Sequence, residues 1–216
     1  MSKALTYASY LRLDELLSIQ TPRSHGPDGA EHDEMLFIII HQVYELWFKQ
    51  LLHEMDYLQI HLRSAETARA VQTIRRILTI LKTIVAQVDV LETMTPLEFN
   101  AFRGHLDSAS GFQSLQFREI EFVLGQKRRQ MLTHFPADMA GHERLTTRFA
   151  QATLWDAFLY FLAGSGYHVP ADQLQRDVTQ SIAPCEAVQA ILIDAYRSNP
   201  TVSHVCERLL DMDEGF

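Results

Sequence analysis

Residues 32 to 55, His-Asp-Glu-Met-Leu-Phe-Ile-Ile-Ile-His-Gln-Val-Tyr-Glu-Leu-Trp-Phe-Lys-Gln-Leu-Leu-His-Glu-Met, contain neither Gly nor Pro. A run of about seven turns without a breaker is too long for an ordinary strand, so it reads as one long α-helix around which the chain must be arranged. Met35 to Ile40 are apolar without interruption. Around a helix that means apolar on every side, which predicts a segment buried in the middle of a bundle. His41 follows directly. A buried imidazole must find a partner or a cavity, because an unpaired polar group costs about 1–3 kcal/mol. Phe37 lies one turn before it and Glu45 one turn after, so the three project from one face. An aromatic wall beside a titratable group is the chemistry of a ligand pocket. A lone histidine on an apolar face is more often a satisfied core residue, and this stretch alone leaves both readings open.

With 216 residues, of which 47% are hydrophobic, the chain has enough apolar side chains for a sizeable core. Its formal net charge of −8 argues against a dedicated nucleic-acid binder. The longest basic run, Lys127-Arg128-Arg129, reads as a solvated loop after a helix. The N-terminus lacks the apolar core of a signal peptide and no apolar run approaches the ~20 residues of a membrane span, so the expectation is a cytoplasmic protein. Cys185 and Cys206 have no zinc or covalent-haem spacing.

In chain order, residues 5–20 could form a short helix with Leu13, Leu16 and Leu17 on one side. Tyr7, Tyr10 and Leu11 make an amphipathic cluster near a terminus, which needs a docking surface, either its own core or another subunit. Residues 21–31 are loop by every breaker signal. Past Arg63, Val71, Ile74, Leu78, Leu81, Val85 and Val88 recur at spacings of three and four, a seam packed along another helix. Thr95-Pro96-Leu97-Glu98 is an N-terminal capping pattern for a short helix ending near His105. That helix puts Phe99 and Arg103 one turn apart on one side. Arg103 has the planar fork that takes a carboxylate bidentately, as an amino-acid ligand requires, and a surface ion pair is the competing use. Ser110 and Gln113 have capping-box spacing ahead of a helix running to Gly125.

Thr153-Leu-Trp-Asp156 opens an aromatic helix to Ala163 in which Trp155, Phe158, Leu159 and Phe161 are core. Further helices start at Pro184 and Pro200. No segment alternates as a strand does, so the fold class is all-α. There is no Gly-rich phosphate loop, His-Glu-x-x-His or Glu-x-x-His pair. His32-Asp33-Glu34 is not a metal cluster, because adjacent helical positions do not face one another; it reads as a helix start with acids at the positive end of the dipole.

Four blocks carry a resemblance: residues 32–49 and 108–118 (Ser-Ala-Ser-Gly-Phe-Gln-Ser-Leu-Gln-Phe-Arg), with Leu5-Thr-Tyr-Ala-Ser-Tyr-Leu-Arg-Leu-Asp-Glu-Leu-Leu17 and Leu91-Glu-Thr-Met-Thr-Pro-Leu-Glu98. In these the chain resembles the tryptophan 2,3-dioxygenases. The resemblance implies a helical bundle of the tryptophan/indoleamine 2,3-dioxygenase type as a single domain over 1–216, with an arm (1–20), a loop (21–31) and a helical core (32–216). It implies a haem b enzyme, a homotetramer, that inserts both atoms of O₂ across the indole C2–C3 bond of L-tryptophan to give N-formylkynurenine, the first step of tryptophan catabolism by the kynurenine route. By position, His41 resembles the distal histidine that hydrogen-bonds the indole N–H, and Phe37 the aromatic wall. Phe99 stands where some relatives have Tyr, Arg103 resembles the substrate carboxylate clamp, and Ser110 a serine near the haem edge. Tyr7, Tyr10 and Leu11 resemble the arm that completes a neighbouring subunit's pocket. In the family the proximal haem histidine and a Gly-rich loop lie further downstream than the stretch this chain resembles; His168 and His204 match neither context, so no iron ligand is carried over. The alternatives are a truncated or haem-free helical assembly protein, or a relative acting on a modified indole.

Overall fold

The chain, as a computed structural model, is described over residues 4–27, 29–107 and 109–214; Met1, Ser2 and Lys3 of the arm, Asp28, Ser108 of the second motif block, and Gly215 and Phe216 lie outside the described residues. The α-helices in order are α1 (Tyr7–Leu11), α2 (Leu13–Leu16), α3 (His32–Arg63), α4 (Thr67–Ala86), α5 (Val88–Leu91) and α6 (Pro96–Arg103). They continue with α7 (Leu115–Leu124), α8 (His142–Ala150), α9 (Leu154–Gly164), α10 (Ala171–Leu174), α11 (Glu186–Ser198) and α12 (Pro200–Glu214). Among the described residues there is no strand, only an isolated bridge between Gly26 and Gly29. The all-α class follows. By contacts, the chain divides into two compact units, the first reaching to Tyr44 and taking in Ala86–Ala109, the second made of Glu45–Val85 and the residues from Ser110 on.

The breaker-free stretch forms a single helix, α3, two turns longer than the run that marks it. Its second half carries the core of the second unit. Leu51, Met55, Leu58 and Leu62, all fully buried at spacings of four and three, meet Ala70, Ile74, Ile77 and Leu81 of α4, which are buried at the same spacings. Burying a Leu or Ile side chain contributes about 1.5–3 kcal/mol, so this seam is a main source of the unit's stability. The seam expected from sequence shares Ile74 and Leu81 with the one that forms. Its far end is corrected: Val85 is exposed, and Val88 belongs to α5. Isoleucines at 74, 77 and 80 overlay a second apolar stripe on the first, and these are buried, with Ile84 packed against the same core in part. Within this unit α7 packs on α8 and α9, and α11 pairs with α12.

Local chemistry sets several boundaries as anticipated. Thr95 caps α6 in a reciprocal box with Glu98, and Thr153 caps α9 with Asp156. Gly125 closes α7 at φ 102°, a backbone that favours glycine. Elsewhere the expectations are corrected. Residues 5–20 do not form one helix: Arg12 takes a left-handed backbone (φ 52°), paired with Glu15, and splits α1 from α2. Ser110 caps only the 3₁₀ turn Gly111–Gln113, and Ser114 caps α7. The helix expected from Pro184 begins at Glu186.

Candidate functional site

The first unit brings α3 and α6 together through aromatic rings. Phe37 packs at a tilt against His41 one turn away, with ring centroids 4.1 Å apart, and reaches Phe99 at 5.8 Å and Phe102 at 5.5 Å on α6. Phe99 and Phe102 meet edge to face at 5.5 Å. Phe102 is fully buried, whereas Phe37, His41 and Phe99 are half-buried, so their rings form a wall with one side open. Tyr44 adds an edge contact to His41 at 6.3 Å, and burial raises its phenol above the ordinary value. Sequence reasoning missed Phe102 and Tyr44, each three residues beyond a chosen residue on the same helix and therefore on the same side.

The first turns of α3 are not buried all round, as six consecutive apolar residues led one to expect. Only Ile40 is buried among them, while Met35 and Ile39 stay exposed at 37% and 42%. His41 is nevertheless fixed. Its Nδ1 lies 2.7 Å from the carbonyl oxygen of Phe37, and since a carbonyl only accepts, Nδ1 carries the hydrogen. A neutral His41 therefore presents Nε2 as an acceptor.

Arg103, on the last turn of α6, lies one turn from Phe99 on the same side. It is exposed, not enclosed by a dry pocket. Among the described residues no carboxylate pairs with it; Nη1 donates to the carbonyl of Asp107 at 3.2 Å, leaving other N–H groups of the fork open. Asp107 is itself left-handed (φ 50°), a conformation Asp tolerates better than most residues.

The remaining sequence candidates are placed as follows. Tyr7, Tyr10 and Leu11 are exposed at 76%, 69% and 41%, without a core of their own. Ser110, in the second unit, is exposed, its Oγ accepting from the N–H of Phe112 at 3.3 Å. Glu45, read as part of the His41 face, accepts from Gln116 through both its carbonyl and its carboxylate, each at 2.8 Å.

Two of the concavities in the second unit differ in character. One, about 700 Å³, is polar and lined by Lys49, His53, Asp56, Glu119, Arg144 and Arg148 among others. Its main charges neutralise one another: Arg148 pairs with Asp56 at 2.5 Å and Arg144 with Glu119 at 2.9 Å. The other, about 370 Å³, is apolar, walled by Trp155, Phe158 and Leu192, and includes Cys206, whose thiol burial pushes up to about 11. Among the described residues no group of three or more His, Cys, Asp or Glu could hold a metal ion.

Fold and site together define an all-helical protein whose first unit presents a fixed imidazole acceptor, an aromatic wall and an open guanidinium, a set suited to a small aromatic acid. The family profile described as Tryptophan 2,3-dioxygenase matches residues 1–139. The chain is 68% identical over 216 residues to a tryptophan 2,3-dioxygenase of Herpetosiphon aurantiacus, covering all of this chain and 82% of that protein. It is 51% identical to one from Anaeromyxobacter sp. (99% and 78% covered) and 40% identical to one from Xanthomonas campestris pv. campestris (98% and 71% covered). The chain belongs to the tryptophan 2,3-dioxygenase family.

Proposed function

We propose that the protein is an oxidoreductase of the kynurenine route that opens the indole ring of L-tryptophan with O₂ to give N-formylkynurenine. The observation that carries this reading, beyond family membership, is the convergence of Phe37, His41 and Phe99 beside Arg103 in one unit. His41 Nε2 accepts the indole N–H, its tautomer held by the Phe37 carbonyl. Phe37 and Phe99 pack against the ring by offset or edge contacts. Phe99 offers no hydroxyl there, so orientation falls to His41 and Arg103. The guanidinium takes the carboxylate with its free N–H groups, and fixing both ends of the substrate supplies orientation that a collision lacks.

Haem b, which the family implies, fits the described residues in part. The open aromatic wall suits the apolar face of such a group. No axial ligand is assigned, since His168 and His204 are both exposed. When bound, haem supplies the activation of O₂. Tyr7, Tyr10 and Leu11, left exposed, complete the pocket of a second copy in a homotetramer, and the reading places the enzyme in the cytoplasm without nucleic-acid or membrane partners. Among the described residues no helix is long and apolar enough to cross a membrane.

The test is Arg103→Ala measured on two ligands. Binding of L-tryptophan should weaken by about 1.5–3 kcal/mol, the net worth of hydrogen bonds to a charged group. An indole lacking the carboxylate should bind both proteins alike. Equal losses for both ligands, or none for either, would remove Arg103 from the role.

A further inference from the structure

Between the exposed arm and α3 the chain passes through residues rich in Gly and Pro, which by themselves leave the arm free to point anywhere. Two sets of hydrogen bonds remove that freedom. Gln20 Nε2 donates to the carbonyl of Leu16 at 2.9 Å and to Oε1 of Gln42 on α3 at 2.6 Å. Further along, the Glu34 carboxylate accepts from the backbone N–H of Arg23 at 2.7 Å, from that of Ser24 at 2.8 Å and from the Ser24 hydroxyl at 2.5 Å. The same hydroxyl oxygen accepts from the N–H of Glu31 at 2.8 Å. Ser24 and Glu34 are both 0% exposed.

A buried carboxylate is ordinarily held by Lys or Arg. Here the donors are two amides and a hydroxyl of the connecting segment, so the charge is committed to backbone ten and eleven residues away. Burial alone would raise the Glu34 carboxyl; the Ser24 hydroxyl and the two amides, with a smaller charge contribution from His105, outweigh it and hold it below the usual range. One turn beyond Glu34 comes Phe37, and a further turn brings His41. The clasp and the aromatic wall therefore stand on the same few turns of one helix.

We propose that Glu34 is a positioning residue: by clasping Arg23 and Ser24 it fixes the direction in which the arm bearing Tyr7, Tyr10 and Leu11 leaves α3, and so sets how well the arm closes the tryptophan pocket of a second copy. This rests on the reading of the arm given above. An arm held in one direction presents its rings at a higher effective concentration than a loose tether does. Releasing the clasp therefore weakens substrate capture and leaves the chemical step alone.

The experiment uses the full-length assembled enzyme with Glu34→Gln, which keeps the volume but turns one acceptor into a donor, and with Ser24→Ala. The milder Ser24→Ala keeps the test open if Glu34→Gln fails to fold. Hydrogen exchange at the Arg23, Ser24 and Glu31 amides should quicken by about tenfold or more as the local clasp opens. KM for L-tryptophan should rise by about tenfold while kcat stays within about twofold. Faster exchange with unchanged KM overturns the proposal, as does a fall in kcat that tracks loss of folded protein. Deleting the chain through Leu11 isolates the arm. If that deletion leaves KM unchanged, the arm reading falls and this one with it. If the deletion raises KM and the Glu34 and Ser24 variants do not, only the assignment to Glu34 falls.

Discussion

A single backbone carbonyl decides what His41 is able to do. Without the Phe37 oxygen at 2.7 Å the imidazole could carry its hydrogen on either nitrogen; with it, Nε2 is left as the acceptor. Such one-residue commitments recur in the chain, and Lys127 is the one composition misread. The basic run Lys127-Arg128-Arg129 was expected to be solvated, yet Lys127 is buried. Its Nζ donates to the carbonyls of Phe149 and Gln151 at 2.8 Å and of Arg148 at 3.2 Å, closing the C-terminal end of α8. Burial pushes the amine down to about 8. Between about 8 and the ordinary 10.5 the unfolded chain therefore holds a proton that the folded chain has released, and stability from this group rises with pH across that window. Lys127→Met, which strips three carbonyls of their donor, should cost about 1–3 kcal/mol at pH 7 in urea denaturation. The gap to wild type should widen between pH 8 and 10. A constant gap would show that the amine does not titrate there.

At the scale of elements, stability rests on the α3–α4 seam, and Leu58 sits in its middle with no exposure. Leu58→Ala should cost about 2–5 kcal/mol by chemical denaturation, the span for a buried leucine whose cavity does not collapse. A loss under about 1 kcal/mol would mean the seam is not where the core lies. Helix starts were legible where the signal is local: Thr95 with Glu98, Thr153 with Asp156, and Gly125 as a stop. Two signals in competition were harder to read. Ser110 and Ser114 both have capping partners, and the chain uses one for a 3₁₀ turn and the other for α7. Least legible was anything set by distant residues. Six apolar residues in a row predicted full burial, but burial depends on neighbours, and Met35 and Ile39 have none that cover them. Glu34 read as a charge at the positive end of a dipole, because nothing local says that Arg23 and Ser24 fold back onto it. For the site, helical spacing was enough to place Phe37 with His41 and Phe99 with Arg103. That the two pairs meet depends on how α3 and α6 pack, which no periodicity contains.

For the molecule as a whole, function is asked of a chain whose first unit leaves its own arm and part of its own helix face uncovered. Both fit a protein that finishes its pocket only when copies associate, since exposed tyrosines and isoleucines gain most from burial against another apolar surface. The account's central claim is narrower than assembly: the imidazole, the rings and the guanidinium of the first unit take hold of one aromatic amino acid. The most direct measurement is a crystal structure of the assembled enzyme with L-tryptophan bound. The account predicts the indole nitrogen at about 2.7–3.2 Å from His41 Nε2, with the carboxylate on the Arg103 fork. An indole seated elsewhere, with Nε2 unpaired and Arg103 still turned to the Asp107 carbonyl, would contradict it.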